Sequence, residues 1–149
     1  MICTTLAIAD FVASSAPFVR DNLTKQGSDF QKKLTAWLDG WLKPTAADGH
    51  IALVYDHGEI VGWARTEYWS AGSDDADGYL MYDTLEAYVA EDYRRRGIAA
   101  FAASGICSAV LHENGGTVAV FHPHMLLVAR RAGFWPTLFA KEDGQWLRV

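Results

Sequence analysis

Cysteine is scarce in this chain of 149 residues: Cys3 and Cys107 are the only two, and they form no paired spacing. A disulfide framework and a cysteine-based zinc site are therefore both excluded, and a reducing compartment, most simply the cytoplasm, is the expectation. Residues 1–10 carry no signal-peptide pattern, which agrees with that expectation. Long hydrophobic runs are also missing. None approaches the roughly 18 apolar residues of a membrane span, and no terminal lipidation signal is present, so no membrane partner is expected. Proline occurs four times, at 17, 44, 123 and 136, with no repeat or low-complexity linker between. Positive charge is in short supply. Thirteen basic against eighteen acidic side chains give a net charge of -5, the wrong sign for a domain that gains its affinity by neutralising phosphates. Nucleic acid is not expected as a main partner.

Half of the residues are hydrophobic, enough for one core without a staple, so a single domain over 1–149 is the working expectation. Residues 2–9 read as a strand, and Asp10 is placed to cap a helix reaching about residue 25. Ser28 and Gln31 form a capping box ahead of Phe30, Leu34, Trp37, Leu38, Trp41 and Leu42 at helical spacing, which predicts a second helix ending at Pro44. Residues 50–55 and 59–69 predict a β-hairpin around Asp56-His57-Gly58. A loop with Asp74, Asp75 and Asp77 leads into a long strand over 79–90. The period then changes to helical from Gly97 to Asn114-Gly115-Gly116, followed by a short strand at 117–121. A helix from Pro123 ends at Gly133, and a hairpin around Glu142-Asp143-Gly144 closes the chain. The order β-α-α-β-β-β-α-β-α-β-β predicts an α/β fold with a mixed, twisted sheet of about seven strands flanked by about four helices.

The stretch Val89-Ala90-Glu91-Asp92-Tyr93-Arg94-Arg95-Arg96-Gly97-Ile98-Ala99 joins a strand to a helix through a basic turn. Backbone N–H groups converge at such a helix start, the dipole adds positive potential, and small residues at 97, 99 and 100 let a phosphate approach the main chain. Neither a P-loop ending in Lys-Ser/Thr nor a three-glycine dinucleotide fingerprint is present. The physics alone describes a generic anion site, with a solvated arginine turn as the alternative.

Arg94-x-x-Gly97-x-Ala99 after a strand ending in Val89 resembles the acetyl-CoA signature of the GNAT N-acetyltransferase superfamily, Gln/Arg-x-x-Gly-x-Gly/Ala. The strand at 117–121, the following helix and Ala132-Gly133-Phe134 resemble the family's later motif, and the element order agrees along essentially the whole chain. The resemblance implies acetyl transfer from acetyl-CoA to an amine, with Arg94, Arg95, Arg96, Gly97, Ile98, Ala99 and Ala100 at the pyrophosphate. It further implies pantetheine pairing along Ala87, Tyr88 and Val89, no protein nucleophile and no metal. The Val89 N–H would face the developing oxyanion.

Two departures bear on mechanism. The tyrosine that many members use as general acid maps to Ala129, and the asparagine at the start of the same helix maps to His122. His122 is therefore a candidate coenzyme contact or replacement acid, with helix capping as the alternative. His122-Pro-His124 lacks the neighbours that a metal site needs. Asp83 and Glu86 are the candidates for general base. They differ by three positions on one strand, so only one of them faces a given cleft. Tyr82 and Tyr88 are further candidates, with packing as the alternative. Trp37, Trp41, Trp63 and Trp69 read as core, with one or two at the acceptor cleft. Asp74, Asp75 and Asp77 favour a basic acceptor, either protein lysine or a small basic amine; the alternative is a turn they merely solvate. The sequence leaves a homodimer open, and an acyl-CoA-binding module without turnover is the competing function.

Overall fold

The structure is a computed structural model that describes residues 1–14, 32, 36, 49–67, 80–82, 85–113, 115–120, 122–141 and 144–149. Strand β1 (Ile2–Ala7) runs directly into helix α1 (Ile8–Ser14), two residues before the expected cap at Asp10. Ile8 and Phe11, one helical turn apart, are wholly buried against Ile51, Leu53 and Trp63. That contact anchors α1 to one face of the sheet. The expected helix from 28 to 44 lies outside the described residues apart from Lys32 and Ala36, both helical. The acidic loop with Asp74, Asp75 and Asp77 also lies outside them, as do Trp69 and Asp83.

The predicted hairpin is β2 (Gly49–Asp56) and β3 (Glu59–Glu67). His57 and Gly58 close it with φ of 48° and 81°, the left-handed pair that matches the twist of a two-residue hairpin turn. A bulge at Val54/Tyr55 shifts the register; beyond it Ile60 packs against one hydrophobic cluster and Val61 belongs to the other. Antiparallel pairing places these strands in the order β1-β2-β3, with β5 (Glu86–Val89) beside β3 at the end of the sheet.

The expectation of one continuous strand over 79–90 is corrected. The segment forms β4 (Leu80–Tyr82) and β5 (Glu86–Val89), which belong to different sheets. Its first half pairs in parallel with β6 (Gly116–Val120), and Leu85 N–H still donates to the Ala119 carbonyl at 3.0 Å. Its second half pairs antiparallel with β3, where Ala90 N–H donates to the Val61 carbonyl at 2.9 Å. A change of partner partway along leaves the side-chain alternation intact, so the sequence pattern carries no sign of it. Among the described residues there are eight strands, one more than about seven expected, because of this division. The second sheet has the order β4-β6-β8-β7, with β7 (Trp135–Lys141) and β8 (Gly144–Arg148) as the C-terminal hairpin.

Helix α2 (Ile98–His112) covers the opposite face of the first sheet. Ile98, Ala102, Ile106 and Val110 recur every fourth residue and are buried with Ala52, Val54 and Ala64. The approach is close at Gly62, where a Cβ would lie 2.6 Å from Ile98 Cγ2. Helix α3 (Pro123–Ala132) begins with proline in its first turn and ends at Gly133, whose φ of 114° favours glycine. No helix of the described residues is long and apolar enough to cross a membrane.

Candidate functional site

Strand β5 ends its sheet, and no strand of the described residues pairs with its outer edge. Antiparallel alternation turns the backbone groups of Tyr88 and Ala90 toward β3 and those of Ala87 and Val89 away from it. At Leu85 the same outward edge still reaches β6. At Ala87 and Val89 no described backbone group meets their N–H, because β5 has diverged from β6. The Val89 carbonyl is engaged by Arg94, whose Nε donates to it at 3.3 Å. That contact ties the basic turn back onto the strand edge.

A short 3-10 turn (Glu91–Tyr93) carries the chain from β5 to the basic turn. Arg95 and Gly97 both have left-handed backbone, with φ of 62° and 78°. Gly97 is the N-cap of α2 and makes no side-chain cap, so the first N–H groups of the helix have no capping oxygen. A Cβ built on Gly97 meets nothing within 4 Å. A cavity of about 540 Å³ opens there, lined by Val89, Arg94, Arg95, Gly97, Ile98, Ala99 and Ala100. It brings together a strand edge unpaired among the described residues, uncapped helix donors and, with Arg131, three guanidinium groups, which is a place for an anion with an extended polar arm.

The far wall of the cavity is α3. His124, Leu127, Val128 and Arg131 line it, and Tyr93 completes it. These α3 positions are i, i+3, i+4 and i+7, one face of a helix. That spacing is present in the sequence and places the four on one face, though not against the basic turn. His122, the residue singled out there, is the N-cap of α3. Its Nδ1 accepts from the His124 N–H at 3.2 Å, and its ring stacks on His124 with centroids 5.3 Å apart. His122 itself does not line the cavity, and Arg96 turns to the ring of Tyr93, 5.1 Å from its centroid. Ala129 is wholly buried in the core.

On the face opposite α2, the β3–β5 register sets Arg65 across from Glu86 and Trp63 across from Tyr88. Arg65 Nε donates to Glu86 at 2.9 Å and Nη1 donates to Glu67, so one cation is held between two carboxylates. The Trp63 and Tyr88 rings stand 4.6 Å apart. Burial, and then the charge of Glu86, push the Tyr88 phenol up, while Arg65 opposes. Trp63 is a buried core residue. Tyr82 lies on β4, and its side chain is outside what the structure describes. Among the described residues no group of three or more His, Cys, Asp or Glu is placed to hold a metal.

No family model matches the chain, and no curated protein matches it in sequence. Solved structures match it over nearly its whole length. A GNAT-family protein from Desulfovibrio desulfuricans superposes with a TM-score of 0.59 at 15% identity, covering 99% of this chain and 98% of that one. A GNAT phosphinothricin acetyltransferase from Sinorhizobium meliloti, solved with acetyl-CoA, gives 0.52 at 13% identity, covering 100% and 88%. A ribosomal-protein-alanine N-acetyltransferase from Brucella melitensis gives 0.51 at 13%, covering 99% and 97%. The chain has the fold of the GNAT acetyltransferases.

Proposed function

We propose that this protein is an N-acetyltransferase that moves the acetyl group of acetyl-CoA directly to a primary amine within a ternary complex. The observation that carries the reading is one cavity in which the outer edge of β5, an uncapped helix start and three arginines, Arg94, Arg95 and Arg131, converge. The pyrophosphate takes the N–H groups of 97–100, and the pantetheine amides pair with the outward groups of Ala87 and Val89. Acetyl transfer as such is supported by the shared fold and by the neighbour solved with acetyl-CoA.

In the reaction the neutral amine nitrogen attacks the thioester carbonyl, and an outward N–H of β5, that of Ala87 or Val89, whichever the pantetheine leaves unpaired, meets the oxyanion that forms. The C–S bond then breaks, the amine loses a proton and the coenzyme sulfur gains one. Glu86, on the face away from α2, reaches the amine directly or through water as proton acceptor, held in place by Arg65. Asp83 is the competing base. With Ala129 offering no hydroxyl, the proton for the sulfur comes from water or from Nε2 of His122, since its Nδ1 already accepts from His124. The acceptor is protein lysine or a small basic amine; Asp74, Asp75 and Asp77 support that preference by charge.

Ala129 also favours a second reading, an acyl-CoA-binding module that acts as a sensor or interaction domain without turnover. Release of coenzyme thiol from acetyl-CoA across a panel of primary amines separates the two. Amine-dependent release is expected, and tight acetyl-CoA binding with no release for any amine would leave the module.

A further inference from the structure

Helix α3 carries two sets of side chains with different surroundings. Met125, Leu126, Ala129 and Ala132 pack into the core, while His124, Leu127, Val128 and Arg131 border the coenzyme cavity. Arg130 belongs to neither set. The two helices lie close together, since a Cβ on Gly133 would sit 3.0 Å from Cys107 Sγ on α2. Side chains of a helix lean toward its N-terminus, so Arg131 reaches back along the groove between α2 and α3, toward the basic turn.

The basic turn brings Arg94 and Arg95 to the same cavity. Arg94 commits its Nε to the Val89 carbonyl, and Arg96 is drawn off to the ring of Tyr93. Among the described residues the guanidinium groups of Arg95 and Arg131 make no hydrogen bond or ion pair. Arg95 also holds left-handed backbone, at a cost of about 1–2 kcal/mol for an L residue. In a chain of net charge -5, cations gathered on one cavity raise the local potential, which favours an anion with more than one charged group between them.

Between His124 and Arg131 the wall is apolar. Leu127, 56% exposed, and Val128 form it, so a flat ring laid there has a guanidinium group beside it. We propose that this face of α3 reads the nucleotide end of the coenzyme: the purine lies on Leu127 and Val128, and the ribose 3′-phosphate sits between Arg131 and Arg95. The inference rests on the acetyl-CoA reading above and adds to it the residues that select a 3′-phosphorylated coenzyme. The N–H groups of 97–100 take the pyrophosphate, which a coenzyme lacking the 3′-phosphate still carries. Discrimination between the two coenzymes therefore falls to the arginines, whose guanidinium groups suit a terminal phosphate.

Calorimetric titration of the full chain with acetyl-CoA and with its 3′-dephospho analogue tests it. The unsubstituted protein is expected to bind acetyl-CoA about ten-fold more tightly than the analogue, the equivalent of one charge-assisted contact. Arg131→Gln should lose most of that preference by weakening acetyl-CoA alone. Arg130→Gln removes the same charge one position away, outside the cavity, and should keep the preference. Equal affinity of the unsubstituted protein for the two coenzymes, a comparison that needs no variant, would overturn the assignment while leaving acetyl-CoA binding in place. So would a preference undiminished in a folded Arg131→Gln protein, or one lost equally in both variants. Failure of both coenzymes to bind would overturn the acetyl-CoA reading and this assignment together.

Discussion

Replacing Gly97 by alanine separates folding from coenzyme binding. The backbone there has φ of 78°, and an L side chain in that region costs about 1 kcal/mol. The added Cβ has no neighbour within 4 Å, so no packing penalty is added. For a chain of this length that predicts a melting point lower by about 3 °C. The methyl group enters the space above the uncapped N–H groups of α2, where the pyrophosphate is proposed to lie. Displacing one charge-assisted hydrogen bond of about 1.5–3 kcal/mol predicts acetyl-CoA affinity weaker by about ten-fold or more. Gly58→Ala is the matched control: φ is 81°, a Cβ again meets nothing within 4 Å, and the hairpin turn does not line the coenzyme cavity. Calorimetric titration with acetyl-CoA and thermal melts of the free proteins decide the matter. Both variants should melt lower by a similar amount, and only Gly97→Ala should lose affinity. Equal acetyl-CoA affinity in the two would refute a phosphate seated on that turn. Gly97→Glu, which adds bulk and negative charge, should abolish binding.

Gly62→Ala should cost about 1–3 kcal/mol through the overlap with Ile98, measured by denaturant unfolding. Adding Ile98→Leu, which removes the offending Cγ2, should recover part of that loss, and no recovery would point away from this contact. His122→Asn retains an N-cap acceptor for α3 while removing the imidazole. The pH profile of kcat should lose one limb in that variant; an unaltered profile would remove His122 from the chemistry. Burial pushes the Cys107 thiol up to about 11 from an ordinary value of 9.0. The folded chain therefore holds that proton longer than the unfolded one, so the stabilisation is complete below pH 9.0 and fades between about 9 and 11. Cys107→Ala should flatten the alkaline decline in stability, and a decline of unchanged steepness would assign it to other groups.

The basic turn, the glycine-closed hairpin and the proline and glycine that bound α3 were legible because each depends on a few neighbouring residues. His57 and Gly58 needed only each other to indicate left-handed backbone, and the fold class followed from the order of the elements. The division of 79–90 was not legible, since Leu85 and Ala90 differ in which strand they meet, a fact set by elements far along the chain. The same holds for Arg65 and Glu86, which are 21 positions apart and meet through register. Glu86 could be proposed as a candidate base from its place on a strand, but its guanidinium partner could not. His124 and Arg131 were within reach of helical spacing, yet only the packing of α3 against the basic turn shows that their face borders the cavity.

Acetyl-CoA added to isotopically labelled protein can be followed through the backbone amides. The largest shifts are expected at Ala87, Val89 and residues 97–100, with saturation in step with calorimetric binding. Saturable binding that leaves those amides unmoved would contradict a coenzyme seated along β5 and the basic turn.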